Sequence, residues 1–280
     1  MSELTPLVAG LTFPEGPRWH DGRLFFSDFY SFRVIAVDPH GKAETVLEVP
    51  GQPSGLGWTP DGRLLVVSML DHTLVRLDPS GPTIVGDMAA LATGPCNDMV
   101  VDTDGRAYVG NFGFDRHKGE PPRAACLVRV DPDGTVMRAA DDLMFPNGTV
   151  ITPDGRTLIV AETLGNRLTA FDRDRSGNLT KRRVWADLGE NFPDGICLDA
   201  EGAIWVADPR KNLVFRVHEG GRRSREIPIA NRGAYACMLG GDDRRTLFVC
   251  TNTGSGPQAA ARTDGRIETI RVDVPGAGLP

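Results

Sequence analysis

The chain has 280 residues, with 31 Lys and Arg against 37 Asp and Glu, and therefore a formal net charge of −6. This balance argues against a nucleic-acid or membrane-surface binder, because no basic excess is available to neutralise phosphates. Hydrophobic residues make up 40% and charged residues 24%, as in an ordinary globular protein, and the 33 Gly and 21 Pro favour a turn-rich, all-β fold.

The N-terminal residues have neither the basic start nor the apolar core of a secretory signal, and no run of roughly 18 apolar residues occurs anywhere. The five cysteines are odd in number and form no CxxC pair, which argues against a disulfide framework and against a zinc site. We therefore expect a cytoplasmic protein with free thiols and no membrane partner.

Six units of similar pattern follow one another, each marked by a turn of the Asp-Gly type. In the second unit the apolar runs are GLGWT, RLLVVSM, TLVRLD and PTIVGDM, and runs of this length between turns are typical of strands. Successive turns lie between 40 and 50 residues apart and begin at Asp21, Asp61, Asp104, Asp154, Glu201 and Asp243. This period predicts a six-bladed β-propeller with four antiparallel strands per blade, and residues 1–280 are expected to form one domain.

The innermost strand of each propeller blade lines a central channel, so residues at the same repeat position form a ring around one axis. We count seven residues back from each turn, or six in the shorter first unit. This places an acidic or small polar side chain in five of the six units, near a Pro in each case. The predicted ring consists of Glu15, Ser54, Asn97, Asn147 and Asp194, with Ala236 or Cys237 in the sixth unit.

Carboxylate and amide oxygens without thiolate or imidazole favour Ca²⁺, Mg²⁺ or Mn²⁺ over copper or zinc. A cation would also offset the cost of crowding unpaired carboxylates at a channel mouth. Two alternatives remain at this point. The side chains form only Asx-type turns where the inner strands begin, or they hold a metal that is purely structural.

Five segments around these positions resemble the senescence marker protein/gluconolactonase/luciferin-regenerating enzyme family, and the resemblance extends over nearly the whole chain. It implies a six-bladed propeller that holds one divalent cation, most often Ca²⁺ with Zn²⁺, Mn²⁺ or Mg²⁺ as alternatives, and that hydrolyses lactones. It further implies that Glu15, Asn147 and Asp194 are the metal ligands and that Asn97 contacts the substrate. The segments are PEGPRW from Pro14, CNDMVVDTDG from Cys96, FPNGTVITPDG from Phe145, FPDGICLDAEG from Phe192 and ACMLGGDDRRTLFV from Ala236.

The chain departs from this family at one position. Sugar-lactone members commonly place an Arg two positions before the substrate Asn and an acidic residue on the following loop. Here Pro95 stands at the first position, which weakens the case for gluconolactone in particular. Asp115, on the long loop after Gly110, can fill the second position, so the resemblance makes Asp115 a predicted substrate contact.

We predict a divalent-metal-dependent hydrolase that opens a small-molecule lactone. Asp194 serves as metal ligand and general base, or as a ligand alone, and Asn97 donates to a substrate oxygen. Two other functions remain open. They are a propeller phosphotriesterase with the same metal site and a non-catalytic ligand-binding propeller. We expect no nucleic-acid partner and a monomer or weak homo-oligomer.

Polar residues at the ends of the predicted second strands form another set at related repeat positions. They either support the metal ligands or lie at solvated strand ends. The set consists of Asp28, Asn111, Glu162 and Asp208.

Overall fold

The computed structural model describes residues 4–280, except for the side chain at position 117. Within these residues, 24 strands form six antiparallel sheets of four strands each, arranged as the blades of a propeller. The helical segments are a four-residue helix, α1 (Ala259–Arg262), and three 3₁₀ turns at Phe29–Ser31, Arg116–Lys118 and Thr163–Gly165. The predicted fold class, a six-bladed propeller with four strands per blade, is confirmed.

The first strand, β1 (Thr5–Leu11), belongs to the last blade. The first blade follows with β2 (Pro14–His20), β3 (Arg23–Asp28), β4 (Arg33–Val37) and β5 (Ala43–Glu48). The second has β6 (Pro53–Trp58), β7 (Leu64–Ser68), β8 (Thr73–Asp78) and β9 (Gly81–Asp87). The third has β10 (Cys96–Val101), β11 (Ala107–Asn111), β12 (Ala125–Val130) and β13 (Val136–Leu143).

The fourth blade has β14 (Pro146–Ile151), β15 (Thr157–Glu162), β16 (Arg167–Arg173) and β17 (Leu179–Asp187). The fifth has β18 (Ile196–Leu198), β19 (Ile204–Asp208), β20 (Leu213–Val217) and β21 (Arg223–Pro228). The sixth has β22 (Gly233–Gly240), β23 (Thr246–Asn252) and β24 (Gly265–Arg271), and β1 pairs with β24 as its outer strand. The N-terminal strand therefore closes the ring by completing the last blade.

The hydrophobic core lies between neighbouring blades. The second strand of each blade is apolar on both faces because both are covered by other blades. In β3, Phe26 is buried in one hydrophobic cluster and Phe25, on the opposite face, is buried in another. The sixth and first blades meet through Trp19 and Phe248, whose rings stack with centroids 5.4 Å apart. None of the helical segments in the described part of the chain is long and apolar enough to cross a bilayer.

The C-terminal segment pairs with the ends of the inner strands of the fourth and fifth blades. Leu279 exchanges two backbone hydrogen bonds with Ile151 at the end of β14, with N···O distances of 2.8 and 2.9 Å. The N–H of Ala277 donates to the carbonyl of Leu198 at the end of β18. The C-terminal segment therefore lies at the end where the inner strands finish, and the beginnings of the inner strands are at the opposite end.

Candidate functional site

A cavity of about 610 Å³ lies at the end of the channel where the inner strands begin. Glu15, Asn97, Asn147 and Asp194 all line it, and they come from blades one, three, four and five. The structure thus brings together four of the five predicted site residues at one place, as the repeat spacing predicted.

The inner strands are irregular where they carry these side chains. The pairing register shifts between Glu15 and Arg18 in β2, between residues 96 and 99 in β10 and between residues 146 and 149 in β14. In the fifth blade, regular pairing of β18 begins at Ile196, after Asp194. Bulges of this kind redirect a side chain out of the regular alternation, and here they accompany side chains that reach the channel.

Close backbone contacts between blades hold this ring in place. The N–H of Gly148 donates to the carbonyl of Asp194 at 3.2 Å, and the N–H of Gly195 donates to that of Tyr235 at 2.8 Å. A Cβ at Gly148 would lie 2.5 Å from the nitrogen of Ile196, so only glycine allows the two strands to approach this closely. The position of Asp194 therefore depends on the glycine of the preceding blade.

The sixth ring member is Tyr235, so the prediction of Ala236 or Cys237 was wrong. The backbone carbonyl of Tyr235 accepts a hydrogen bond from the next blade's equivalent of Gly148, which is Gly195, in the same way that the carbonyl of Asp194 accepts one from Gly148. Tyr235 also lines the cavity. Ala236 takes the place of the glycine, and Cys237 is buried in the core. The count failed because the distance from ring residue to turn is one residue longer in this blade.

Ser54 is outside the cavity lining among the described residues, although it occupies the expected ring position. Its backbone carbonyl accepts a hydrogen bond of 2.6 Å from the Ser27 hydroxyl. Gln52, two residues earlier in the chain, lines the cavity in the second blade.

The two carboxylates of the ring lie deep in the molecule and are partly accessible through the cavity. Burial raises the pKa of Asp194 to about 8, and the charges of Asp98 and Asp208 act in the same direction. Burial also raises the pKa of Glu15 well above its usual value, and the charge of Asp194 raises it further. Without a cation, this site therefore favours protonated carboxyl groups.

The donor set fits a hard divalent cation. Glu15 and Asp194 supply carboxylate oxygens and Asn147 supplies an amide oxygen, which are the ligands that Ca²⁺ prefers. The amide nitrogen of Asn147 donates to the Thr163 hydroxyl at 3.2 Å, which leaves the amide oxygen available. No group of three or more His, Cys, Asp or Glu suited to a metal occurs among the described residues, so any site here needs the amide.

Asn97 presents an unpaired donor next to this oxygen cluster. The residue is only 6% exposed, and its side-chain nitrogen has no hydrogen-bond partner in the described structure. Leaving a buried donor unpaired costs about 1–3 kcal/mol, so an oxygen of a bound ligand would be stabilised at this point.

The backbone around Asn97 is fixed by a buried ion pair that the sequence analysis did not find. The guanidinium of Arg18 lies 2.6 Å from the Asp98 carboxylate and also donates to the carbonyls of Met99 and Leu56. Arg18 thereby links the inner strands of the first three blades. An Arg and an Asp of opposite charge, each within a predicted inner strand, are the sequence signal that could have revealed it.

Asp115 lies on the loop between β11 and β12, but it does not line the cavity as far as the structure describes that loop. Its carboxylate is 3.1 Å from the ammonium group of Lys118, so it helps to hold the 3₁₀ turn. The neighbouring Arg116 does line the cavity and donates to the Ser255 hydroxyl at 3.0 Å. A substrate contact by Asp115 remains a prediction.

The polar residues at the ends of the second strands are buried, so they are not solvated strand ends. The three acidic members hold the loops that lead into the inner strands, whereas Asn111 holds the loop that follows its own strand. Asp28 accepts from the N–H of Phe13 at 2.7 Å, and Asp208 accepts from that of Phe192 at 3.0 Å. Glu162 accepts from the backbone N–H of Met144 at 2.8 Å. Asn111 accepts from the backbone N–H of Gly113, in the loop after β11, at 3.0 Å.

The fold and the site together define a six-bladed propeller with an oxygen-rich cavity at one end of its channel. The chain belongs to the SMP-30/gluconolactonase/LRE-like family, whose model matches residues 13–253. This confirms the resemblance seen in the five sequence segments.

Two relatives match nearly the full chain. The pentonolactonase XacC of Haloferax volcanii is 27% identical over 281 residues, which cover 95% of this chain and 92% of that protein. A 6-deoxy-6-sulfogluconolactonase of Pseudomonas putida is also 27% identical over 281 residues, covering 95% of this chain and 93% of that protein. Among solved structures, a regucalcin from Agrobacterium tumefaciens aligns with a TM-score of 0.81 and 22% identity, over 100% of this chain and 99% of that chain, and so shares the fold.

Proposed function

We propose that this protein is a divalent-cation-dependent hydrolase that opens a lactone ring. The observation that carries the proposal is the meeting of Glu15, Asn147 and Asp194 with the unpaired amide of Asn97 in a single cavity. Two relatives whose alignments cover 95% of the chain are named as a pentonolactonase and a 6-deoxy-6-sulfogluconolactonase, which supports the reaction type.

Glu15, Asn147 and Asp194 would hold the cation, with Ca²⁺ the best match to two carboxylates and an amide oxygen. A cation bound there would polarise the lactone carbonyl and stabilise negative charge on its oxygen. A single cation also fits the two carboxylates, because its charge would offset the burial and mutual repulsion that raise their pKa values in its absence.

The remaining steps belong to the side chains of the protein. Asn97 donates its free N–H to the substrate carbonyl oxygen, which becomes more negative as water attacks the carbonyl carbon. The carboxylate of Asp194 takes the proton from that water and returns it to the ring oxygen when the acyl carbon–oxygen bond breaks. The product is a hydroxy acid, and Asp194 is regenerated as the carboxylate.

The test is hydrolysis of a panel of lactones by chelator-treated protein, before and after addition of Ca²⁺, Mn²⁺, Zn²⁺ or Mg²⁺. We expect no turnover after chelation and recovery with at least one cation. Turnover of phosphotriesters but of no lactone would favour a phosphotriesterase. Binding of a lactone without turnover under any cation would indicate a non-catalytic propeller, and either result would overturn the proposal.

A further inference from the structure

A second set of side chains at one repeat position lines the same cavity as the polar ring. Counting two residues back from each ring member gives a position that lines the cavity in five blades, and four of its five members are apolar. The members are Phe13, Gln52, Pro95, Phe145 and Phe192. Repeat geometry thus places an apolar layer next to the oxygen donors, with Gln52 as its one polar side chain.

Aromatic side chains from the loops extend this layer into a wall. The rings of Phe112 and Phe145 stack with centroids 4.4 Å apart, and Phe114 meets Phe145 edge-on at 6.1 Å. Where the first and sixth blades meet, the ring of Phe13 packs against that of Tyr235 with centroids 4.6 Å apart. Six of the 12 phenylalanines and two of the three tyrosines in the chain line this one cavity.

The wall is fixed by backbone hydrogen bonds as well as by ring contacts. The N–H of Phe29 donates to the carbonyl of Phe13, and that of Phe112 donates to the carbonyl of Pro95, both at 3.0 Å. The Asp208 carboxylate holds the N–H of Phe192. A wall built in this way is in place before the substrate arrives, so its chemistry selects what can bind.

Several polar groups around the wall are already engaged within the protein. The hydroxyl of Thr163 donates to the carbonyl of Pro193 at 2.7 Å, and Arg116 donates to Ser255. Glu120 accepts a hydrogen bond from a backbone N–H of its own loop at 2.9 Å. Gln52 and Arg210 also line the cavity and remain available as polar partners. The hydroxyl groups of a sugar lactone that face the aromatic rings would nevertheless lose their hydration without gaining a partner, which is unfavourable.

We propose that the substrate is a lactone that carries an alkyl or aryl substituent, with the lactone ring at the polar floor and the substituent against the aromatic wall. This inference rests on the proposed function and specifies its substrate class. An apolar substituent gains from burial against the wall, whereas the oxygen donors of the floor are used by the reacting ester group.

The experiment compares three δ-lactones that share the reacting ring: δ-valerolactone without a substituent, δ-decalactone with a pentyl chain and D-glucono-δ-lactone with hydroxyl groups. We expect kcat/KM for δ-decalactone to exceed that for δ-valerolactone by about 30-fold or more, and to exceed that for D-glucono-δ-lactone further. Efficient turnover of D-glucono-δ-lactone with weak turnover of δ-decalactone would overturn the inference and leave the proposed function intact. Turnover of none of the three, with any cation, would contradict both.

Three variants test the wall itself. Phe192 is only half-buried, so Phe192→Asn should fold, and we expect the kcat/KM ratio of δ-decalactone to δ-valerolactone to fall about tenfold. The matched control is Phe32→Asn, because Phe32 is 43% exposed outside the cavity at a φ of 59° that suits asparagine. Phe192→Leu keeps an apolar surface and should retain most of the ratio. An unchanged ratio in a folded Phe192→Asn protein would overturn the inference.

Discussion

Asp194 and Glu15 occupy the same repeat position in different blades, yet their surroundings differ. Asp194 lies beside the Asn147 amide, which lowers its pKa against the larger effect of burial. Glu15 accepts a hydrogen bond from the N–H of Gly16 and faces the charge of Asp194. We assign the proton transfer to Asp194 and expect Glu15 to act through cation binding.

The substitution Asp194→Asn separates these roles. It keeps an oxygen of similar size but removes the proton acceptor, so Ca²⁺ should still bind, though more weakly, while kcat falls on the order of 10²-fold or more. Glu15→Gln should instead weaken Ca²⁺ binding first and recover activity at high Ca²⁺. Calorimetric titration of Ca²⁺ and kcat at saturating Ca²⁺ measure the two effects. An Asp194→Asn protein with wild-type kcat would reduce Asp194 to a ligand.

Asn97 should affect the substrate and not the cation. Asn97→Ala removes the buried amide, whose nitrogen has no partner in the described structure, so Ca²⁺ affinity should change little and thermal stability should not fall. We expect kcat/KM to fall by about 10²-fold, the scale for loss of a donor to a developing oxyanion. A similar loss of Ca²⁺ affinity would place Asn97 in the cation site instead.

At the scale of elements, the contact between β14 and the segment before β18 decides where Asp194 lies. Gly148→Ala would put a methyl group 2.5 Å from the nitrogen of Ile196 and 2.8 Å from the carbonyl oxygen of Asp194. Because backbone atoms cannot move aside cheaply, we expect a loss of about 1–3 kcal/mol in the free energy of unfolding and a larger fractional loss of kcat.

The control for this prediction is Gly254→Ala, whose nearest neighbour would be the flexible end of the Arg262 side chain at 3.3 Å. That variant should melt within about a degree of the wild type and keep its activity. Thermal unfolding and kcat of both variants test the idea. Wild-type behaviour of Gly148→Ala would show that the two strands can separate without disturbing the site.

The same elements show what the sequence could and could not predict. Glu15, Asn147 and Asp194 were found by counting because the distance from ring to turn is nearly constant when each inner hairpin is alike. Tyr235 was missed because the hairpin of its blade is longer by one residue. Arg116 was missed because the conformation of a long loop is set by contacts such as that with Ser255, and not by the repeat.

At the scale of the whole molecule, the ring closes only because β1 pairs with β24, two strands from opposite ends of the chain. The sequence predicted the number of blades from local turns, but it gave no local signal for this distant pairing. Counting by repeat position could also have found the second, aromatic set of cavity residues. In the sequence alone, however, a Phe next to a Pro cannot be told from an ordinary core residue, because only the structure shows that the inner strands converge. Convergence on one axis is thus the property that turns separate repeats into a site.

Because the proposed cation ligands converge there, we expect the stability of the propeller to depend on pH and on Ca²⁺. In the cation-free protein, burial raises the pKa of Asp194 from 3.8 to about 8, so between these values the folded chain holds a proton that the unfolded chain has lost. Its contribution to the free energy of unfolding therefore decreases as the pH rises from 4 to 8. Ca²⁺ binds the carboxylate form, so the stabilisation by Ca²⁺ should be small at pH 5 and large at pH 8.

With Ca²⁺ at about 100 times its dissociation constant, the gain at pH 8 would be about 2.7 kcal/mol, or roughly 5–10 °C in the unfolding midpoint of a chain of this size. Differential scanning calorimetry at both pH values, with chelator and with Ca²⁺, measures the four midpoints. In Asp194→Asn, which cannot titrate at this position, the difference between the two pH values should shrink. A Ca²⁺-induced shift that is as large at pH 5 as at pH 8 would rule out the coupling, because protons and the cation would then not compete for the same carboxylates.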